Sequence, residues 1–200
     1  MFDCHAHPGV PTDKAFVCTA STENLGLLSP FPFRAAGSLP GRAAPDWGLF
    51  REAVASGCQV GEVGLDKRFP DLPGQIAVLE KALSIAEEYD RVVVLHTVRA
   101  YAETYEIIKD RKLRFLLHGW TGSYELAERF HSLGCLISLS PRAERTKAFP
   151  RLLSLPFVTE TDMSTGPEQA LNLSLWNARL SELTGIDTAE RSERMVMEWL

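Results

Sequence analysis

The sequence has no apolar stretch approaching the roughly 18–20 residues that a membrane-crossing helix needs, so no membrane partner is expected. It has no low-complexity tract and no internal repeat, and its glycine and proline content is ordinary, which argues against a disordered chain. It lacks paired cysteines. Cys4, Cys18, Cys58 and Cys135 lie far apart with no Cys-x-x-Cys among them. That spacing speaks against a zinc ribbon or a disulfide framework and fits reduced, mostly buried thiols. The opening Met-Phe-Asp-Cys-His shows no basic region followed by an apolar run, so no secretory signal is read there and a cytoplasmic location is expected. An excess of positive charge is also missing. The net charge of −5 is poorly suited to a broad phosphate footprint, but it leaves room for an enzyme that grips one or two phosphates locally.

What is present is enough apolar material for one sizeable core: 200 residues, 45% hydrophobic and 24% charged. One domain over residues 1–200 is the expectation at this length. Eight short apolar runs recur, at Phe2–His7, Phe16–Ala20, Arg34–Gly37, Gln59–Gly64, Arg91–His96, Arg114–His118, Leu136–Leu139 and Phe157–Thr161. Runs such as Val92-Val93-Val94-Leu95 are apolar without alternation, as expected of strands buried on both faces of a parallel sheet. Amphipathic segments lie between the later runs: Asp46–Ser56, Gln75–Tyr89, Ala100–Lys109 and Ser123–Leu133, with a helical tail over much of Pro167–Leu200. Strands alternating with helices predict an α/β fold, a TIM-type (β/α)₈ barrel. Only Pro8–Ala15 separates the first two runs, and Ser21–Phe33 is rich in proline and glycine. The barrel is therefore expected to be compact, and distorted or incomplete in its first half.

The chemistry-bearing residues fall at the ends of these runs. His5-Ala6-His7 closes the first, and positions i and i+2 of a strand share a side, so both imidazoles can reach one ion. A pair of histidines in a solvated turn has the same spelling. Glu62 sits inside Val60-Gly61-Glu62-Val63-Gly64, where a carboxylate is costly to bury unless paired with a cation or an arginine. His96 and His118 each follow apolar residues at the carboxyl ends of consecutive strands, the face on which such barrels carry their sites. Asp162 takes the same place after the last run, where the simpler reading is a helix cap. His131 lies mid-helix and is expected to be structural. Nitrogen and oxygen ligands without thiolates suit zinc, manganese or magnesium, and six of them suffice for two divalent ions sharing one carboxylate.

These motifs resemble those of the TatD family of metal-dependent deoxyribonucleases, within the amidohydrolase-like barrels. Asp3-Cys4-His5-Ala6-His7 resembles the family's opening motif, and Gly61-Glu62-Val63-Gly64-Leu65-Asp66 its central one. His118-Gly119-Trp120-Thr121-Gly122-Ser123 resembles its His-Cys-Phe-Ser-Gly-Ser, and Glu160-Thr161-Asp162 its Glu-Thr-Asp. The resemblance implies that His5, His7 and Asp162 hold one ion, His96 and His118 a second, and Glu62 bridges them. It also implies hydrolysis of nucleic-acid phosphodiesters, single-stranded DNA in particular. Glu62 and Asp162 are the expected catalytic carboxylates, with Asp162 orienting an attacking hydroxide and taking its proton. Two departures fall on loops rather than ligands. Val98 stands where the family usually has an arginine, with Arg99 one place later, and Met163-Ser164-Thr165 replaces Ala-Pro and an aromatic. Arg99, Trp120, Arg142 and Arg145 are the candidate substrate contacts; the last two belong to a basic segment after the seventh run that also holds Lys147 and Arg151 and that reads equally as a solvated helix face. Trp120 would stack on a base or pack the rim. A metal-dependent amidohydrolase or esterase acting on a lactone, amide or aminoacyl ester, and a non-catalytic metal-binding protein, are the competing readings.

Overall fold

A computed structural model describes residues 1–200. Eight strands, β1 (Asp3–Ala6), β2 (Ala15–Cys18), β3 (Arg34–Ser38), β4 (Gln59–Asp66), β5 (Val93–Val98), β6 (Phe115–Leu117), β7 (Leu136–Leu139) and β8 (Val158–Thr159), pair in sequence order, every neighbour parallel. Beyond β8 the chain runs alongside the end of β1. Asp162 N donates to His5 O at 3.1 Å, His7 N to Met163 O at 2.9 Å, and His7 bridges in parallel to Ser164. The expected (β/α)₈ barrel is present, and this seam closes it.

The helices follow local signals. Asp46 caps α1 (Trp47–Ala55) by accepting from Gly48 N and Leu49 N, and Ser123 caps α4 (Tyr124–Ser132) through Leu126 N. Helix α2 (Leu72–Glu88) starts three residues before the expected Gln75. Asp71 caps it through Gly74 N, and Pro73 sits in the first turn, where no N–H is needed. After β5 comes α3 (Tyr101–Ile108), and α5 (Phe149–Leu152) precedes β8. The tail divides into α6 (Pro167–Thr184) and α7 (Thr188–Trp199) at Gly185, whose φ of 71° ends the first helix in the left-handed conformation.

The first half does depart from the ideal. No helix joins β1 to β2, and only a 3₁₀ turn at Thr22–Leu28 lies between β2 and β3. A groove of about 380 Å³ between the β1–β2 loop and α6, lined by Val10, Pro11, Ala170 and Leu173 among others, holds none of the expected ligands.

Alternation along the strands puts core and site on one face. Val92, Val94, Leu116 and Val158 belong to a buried cluster that Val196 and Trp199 of α7 also join. His96, His118, Glu160 and Asp162 continue the same parity toward the carboxyl ends. Dispersion and burial fix the lower layers, and His96 and His118 inherit their direction from them, whereas β1 and β4 reach the site through register shifts between Asp3 and Ala6 and between Val60 and Val63. All four cysteines are buried and unpaired. No helix is long and apolar enough to cross a membrane.

Candidate metal centre

Six side chains from five strand ends converge. Glu62 lies at the middle, 2% exposed, and its two oxygens face different ways. Oε1 is 2.6 Å from His96 Nδ1 and 2.6 Å from His118 Nε2, and those two nitrogens are 3.1 Å apart. Oε2 is 3.6 Å from His5 Nε2 and 3.9 Å from His7 Nε2. On that side Asp162 Oδ1 stands 3.3 Å from His5 Nε2 and 3.1 Å from His7 Nε2. Donor atoms of His5, Glu62 and His118 lie within 4.8 Å of one another, as do those of His5, His7 and Asp162. His131 lies in α4 and belongs to neither group.

The backbone of β4 explains why the strand carries glycines around its acid. A Cβ on Gly64 would sit 1.9 Å from His96 O, and its φ of 156° is one that other residues rarely adopt. Only glycine lets β4 approach β5 closely enough to bring Glu62 and His96 together.

The donors fit divalent cations better than they fit one another. His5 Nε2 is fully buried and has no hydrogen-bond partner despite the carboxylates nearby. Buried polar atoms without partners are rare and call for an explanation. Four imidazoles and two carboxylates with no thiolate form a donor set suited to zinc, manganese or magnesium. Electrostatics agrees. Burial alone would raise the Glu62 pKa, yet His118, His96 and His5 outweigh it and hold the carboxyl well below its ordinary value. Burial of Asp162 is overcome in the same way by His5 and His7. Both acids are therefore ionised and ready to ligate. Burial lowers the pKa of His5, whereas Glu62 and Glu160 overcome burial at His118 and raise it well above the usual histidine value.

Around the ligands sits a second layer that sequence reading missed. His118 Nδ1 is 3.6 Å from Glu160 Oε1, and the Glu160 Oε2 accepts from Ser138 Oγ, which in turn accepts from Gly119 N at 3.1 Å. His96 Nε2 is 3.3 Å from Asp66 Oδ2, and His7 Nδ1 is 3.1 Å from the carbonyl of Cys18. Such contacts orient imidazoles and select their tautomers. Glu160 carried a readable signal, because it lies two residues before Asp162 and so shares its side of the strand. Asp66 is the last residue of the Gly61–Asp66 motif, and Arg68 carried no signal.

The candidate substrate contacts separate. A cleft of about 190 Å³ opens over the centre, lined by Arg68, His96, Thr97, His118, Arg142 and Asp162 among others. Arg142 donates to Asp162 Oδ2. Arg99 and Arg145 are exposed and do not line this cleft. Trp120 is corrected: it is 1% exposed and packs against Tyr101 and Phe130, so it fills the rim and has no face free for a base. Nor does the basic segment form one surface. Arg151 pairs with Glu125 at 2.5 Å and stacks over Tyr124.

An eight-stranded parallel barrel with a buried nitrogen–oxygen donor cluster at its carboxyl ends defines a barrel of the metal-binding kind. Comparison with known proteins places it more closely. A family profile described as TatD related DNase matches residues 47–192, and the chain belongs to that family. It is 33% identical over 107 residues to an uncharacterized metal-dependent hydrolase of Methanocaldococcus jannaschii, covering 52% of this chain and 43% of that protein. A second, YjjV of Escherichia coli, bears the same description and is 33% identical over 123 residues, covering 56% and 46%. The matches thus span less than half the length of these relatives. The crystal structure of YjjV, described as a TatD homolog, superposes with a TM-score of 0.78 at 24% identity over 98% of this chain and 94% of that one. A TatD family hydrolase of Entamoeba histolytica gives 0.72 at 12% identity, covering 90% and 80%.

Proposed function

We propose that this protein is a metal-dependent hydrolase that cleaves nucleic-acid phosphodiesters, a TatD-type deoxyribonuclease acting with two divalent ions. The observation that carries the reading is the split of Glu62, one oxygen toward His96 and His118 and the other toward His5 and His7. His5, His7 and Asp162 would hold one ion, His96 and His118 the other, with Glu62 shared. Ions bound there supply Lewis acidity and make water a usable nucleophile near neutral pH. Asp162 stays ionised and reaches the centre with Oδ1, so it can accept a hydrogen bond from the attacking water and orient it. Glu62 keeps negative charge at the centre while being nearly closed to solvent, so its interactions with cations are strong. Arg142, at the cleft beside Asp162, can meet negative charge on the substrate.

A second reading, hydrolysis of a carboxylic ester or amide, is favoured by the small cleft and by the net charge of −5. One experiment separates the two: cleavage of a 3′-labelled single strand in the presence of zinc, manganese or magnesium, beside generic esters and the Asp162→Asn variant. Strand cleavage lost in the variant is the expected result. Ester cleavage without strand cleavage would overturn the nuclease reading.

A further inference from the structure

Arg68 belongs to none of the motifs, yet it is tied to the rim by several hydrogen bonds to one carboxylate. Its Nε donates to both oxygens of Asp66, at 2.9 and 3.0 Å, and its Nη2 to Oδ2 at 2.5 Å. Its backbone N–H binds Oδ1 as well, at 2.9 Å. Asp66 is 1% exposed and its Oδ2 also approaches His96 Nε2. The guanidinium is thereby clamped along one edge by a buried carboxylate that also contacts an expected ligand. Its other edge is free: Nη1 has no hydrogen-bond partner, and the side chain is 57% exposed on the cleft. An arginine whose fork is fixed before binding loses little conformational freedom when it takes up an anion. Arg142, on the same cleft, lies beside Asp162. One guanidinium therefore flanks each half of the centre, and the lining is otherwise almost wholly polar.

Resting on the phosphodiesterase reading, we infer that Arg68, with Arg142 opposite, binds a phosphate adjacent to the scissile one and so selects substrates carrying at least two neighbouring phosphates. The ions would take the scissile group, and the arginines the next phosphate along the strand. A neutral ester or an isolated phosphodiester leaves the Arg68 edge unmet.

The test is calorimetric titration of the metal-supplemented protein with thymidine 3′,5′-bisphosphate and with thymidine 5′-monophosphate. The wild-type protein is expected to bind the bisphosphate more tightly. Arg68→Gln should weaken bisphosphate binding about tenfold or more, the range of a charge-assisted hydrogen bond, and leave the monophosphate nearly unchanged. Because Arg68 covers the buried Asp66, Arg68→Lys serves if the glutamine variant does not fold. It keeps the charge but loses the fork, and should still forfeit most of the preference. Equal bisphosphate affinity in the wild-type protein and the folded variant overturns the inference. Bis(4-nitrophenyl) phosphate and a labelled single strand are assayed in parallel. Cleavage that persists with unaltered bisphosphate binding in the variant sinks the Arg68 site alone. An Arg68-dependent preference without any cleavage sinks the hydrolase reading alone.

Discussion

The two halves of the candidate ligand set are built by different means. Glu62, His96 and His118 come from β4, β5 and the end of β6, three adjacent parallel strands, with the β4–β5 register shifting between Val60 and Val63 where Glu62 lies. Their neighbours Asp66 and Glu160 stand behind the two imidazoles. His5, His7 and Asp162 instead meet at the seam, where residues 155 apart in the chain come together only when the barrel closes. Asp3 stitches that seam. It accepts from His5 N at 3.2 Å, Thr161 N at 3.1 Å, Thr161 Oγ1 at 2.6 Å and Gln169 Nε2 at 2.5 Å, tying β1 to the end of β8 and to α6. One half depends on local strand pairing and the other on the completed fold. Glu62 turns one oxygen toward each half.

The largest effect is therefore expected at Glu62. Glu62→Gln keeps the shape but removes the shared negative charge, and hydrolysis should fall to background while bound metal, measured by elemental analysis, drops below the wild-type content. Wild-type metal content and rate in this variant would break the bridging assignment. Next comes Asp162→Asn, which touches only the seam half. A positioned general base contributes about 10²–10⁴-fold, and a loss of kcat in that range is expected with an unchanged melting temperature and metal retained at His96 and His118. Glu160→Gln probes the strand half through its outer layer. Loss of such a contact typically costs about 10–100-fold in metal affinity. A proton should move with it. His118 carries a raised pKa in the metal-free protein because Glu62 and Glu160 outweigh its burial, so a cation must displace that proton. Metal affinity is expected to rise with pH, and titrations in buffers of different ionisation enthalpy should register proton release that Glu160→Gln diminishes. Affinity independent of pH would show that His118 takes no part.

The same contrast explains what could be read from sequence. Runs such as Val92-Val93-Val94-Leu95-His96 declare both a buried parallel strand and the residue at its carboxyl end, so the strand half was legible from local pattern. His5, His7 and Asp162 were each placed at strand ends, but nothing in their spacing shows the bonds from Asp162 N to His5 O that bring them together. Residues acting one layer out were hidden for a related reason. Glu160 and Asp66 sit inside recognisable motifs and Arg68 in none, but the partner of each is set only by tertiary contact. Trp120 failed differently. An aromatic next to a ligand histidine has the same spelling whether it faces a substrate or the core, and here Tyr101, Gly122 and Phe130 enclose it.

The smallest effect concerns the stitch itself and falls on stability rather than turnover. Burial raises the Asp3 carboxyl from 3.8 to about 7, against the opposing hydrogen bonds from Thr161 and Gln169. The sign follows from linkage: a carboxyl more easily protonated in the folded state than in the unfolded one contributes stability below about pH 4, and that contribution is lost as pH rises through about 7. Asp3→Asn removes the titration while giving up an acceptor for Thr161 or Gln169 at every pH. Denaturation of the metal-free proteins should then show the variant at its greatest disadvantage near pH 4 and recovering relative to the wild-type protein by pH 7. A difference that stays constant across that window would mean that Asp3 is ionised throughout, and that the donors of His5, Thr161 and Gln169 hold a carboxylate rather than a neutral carboxyl.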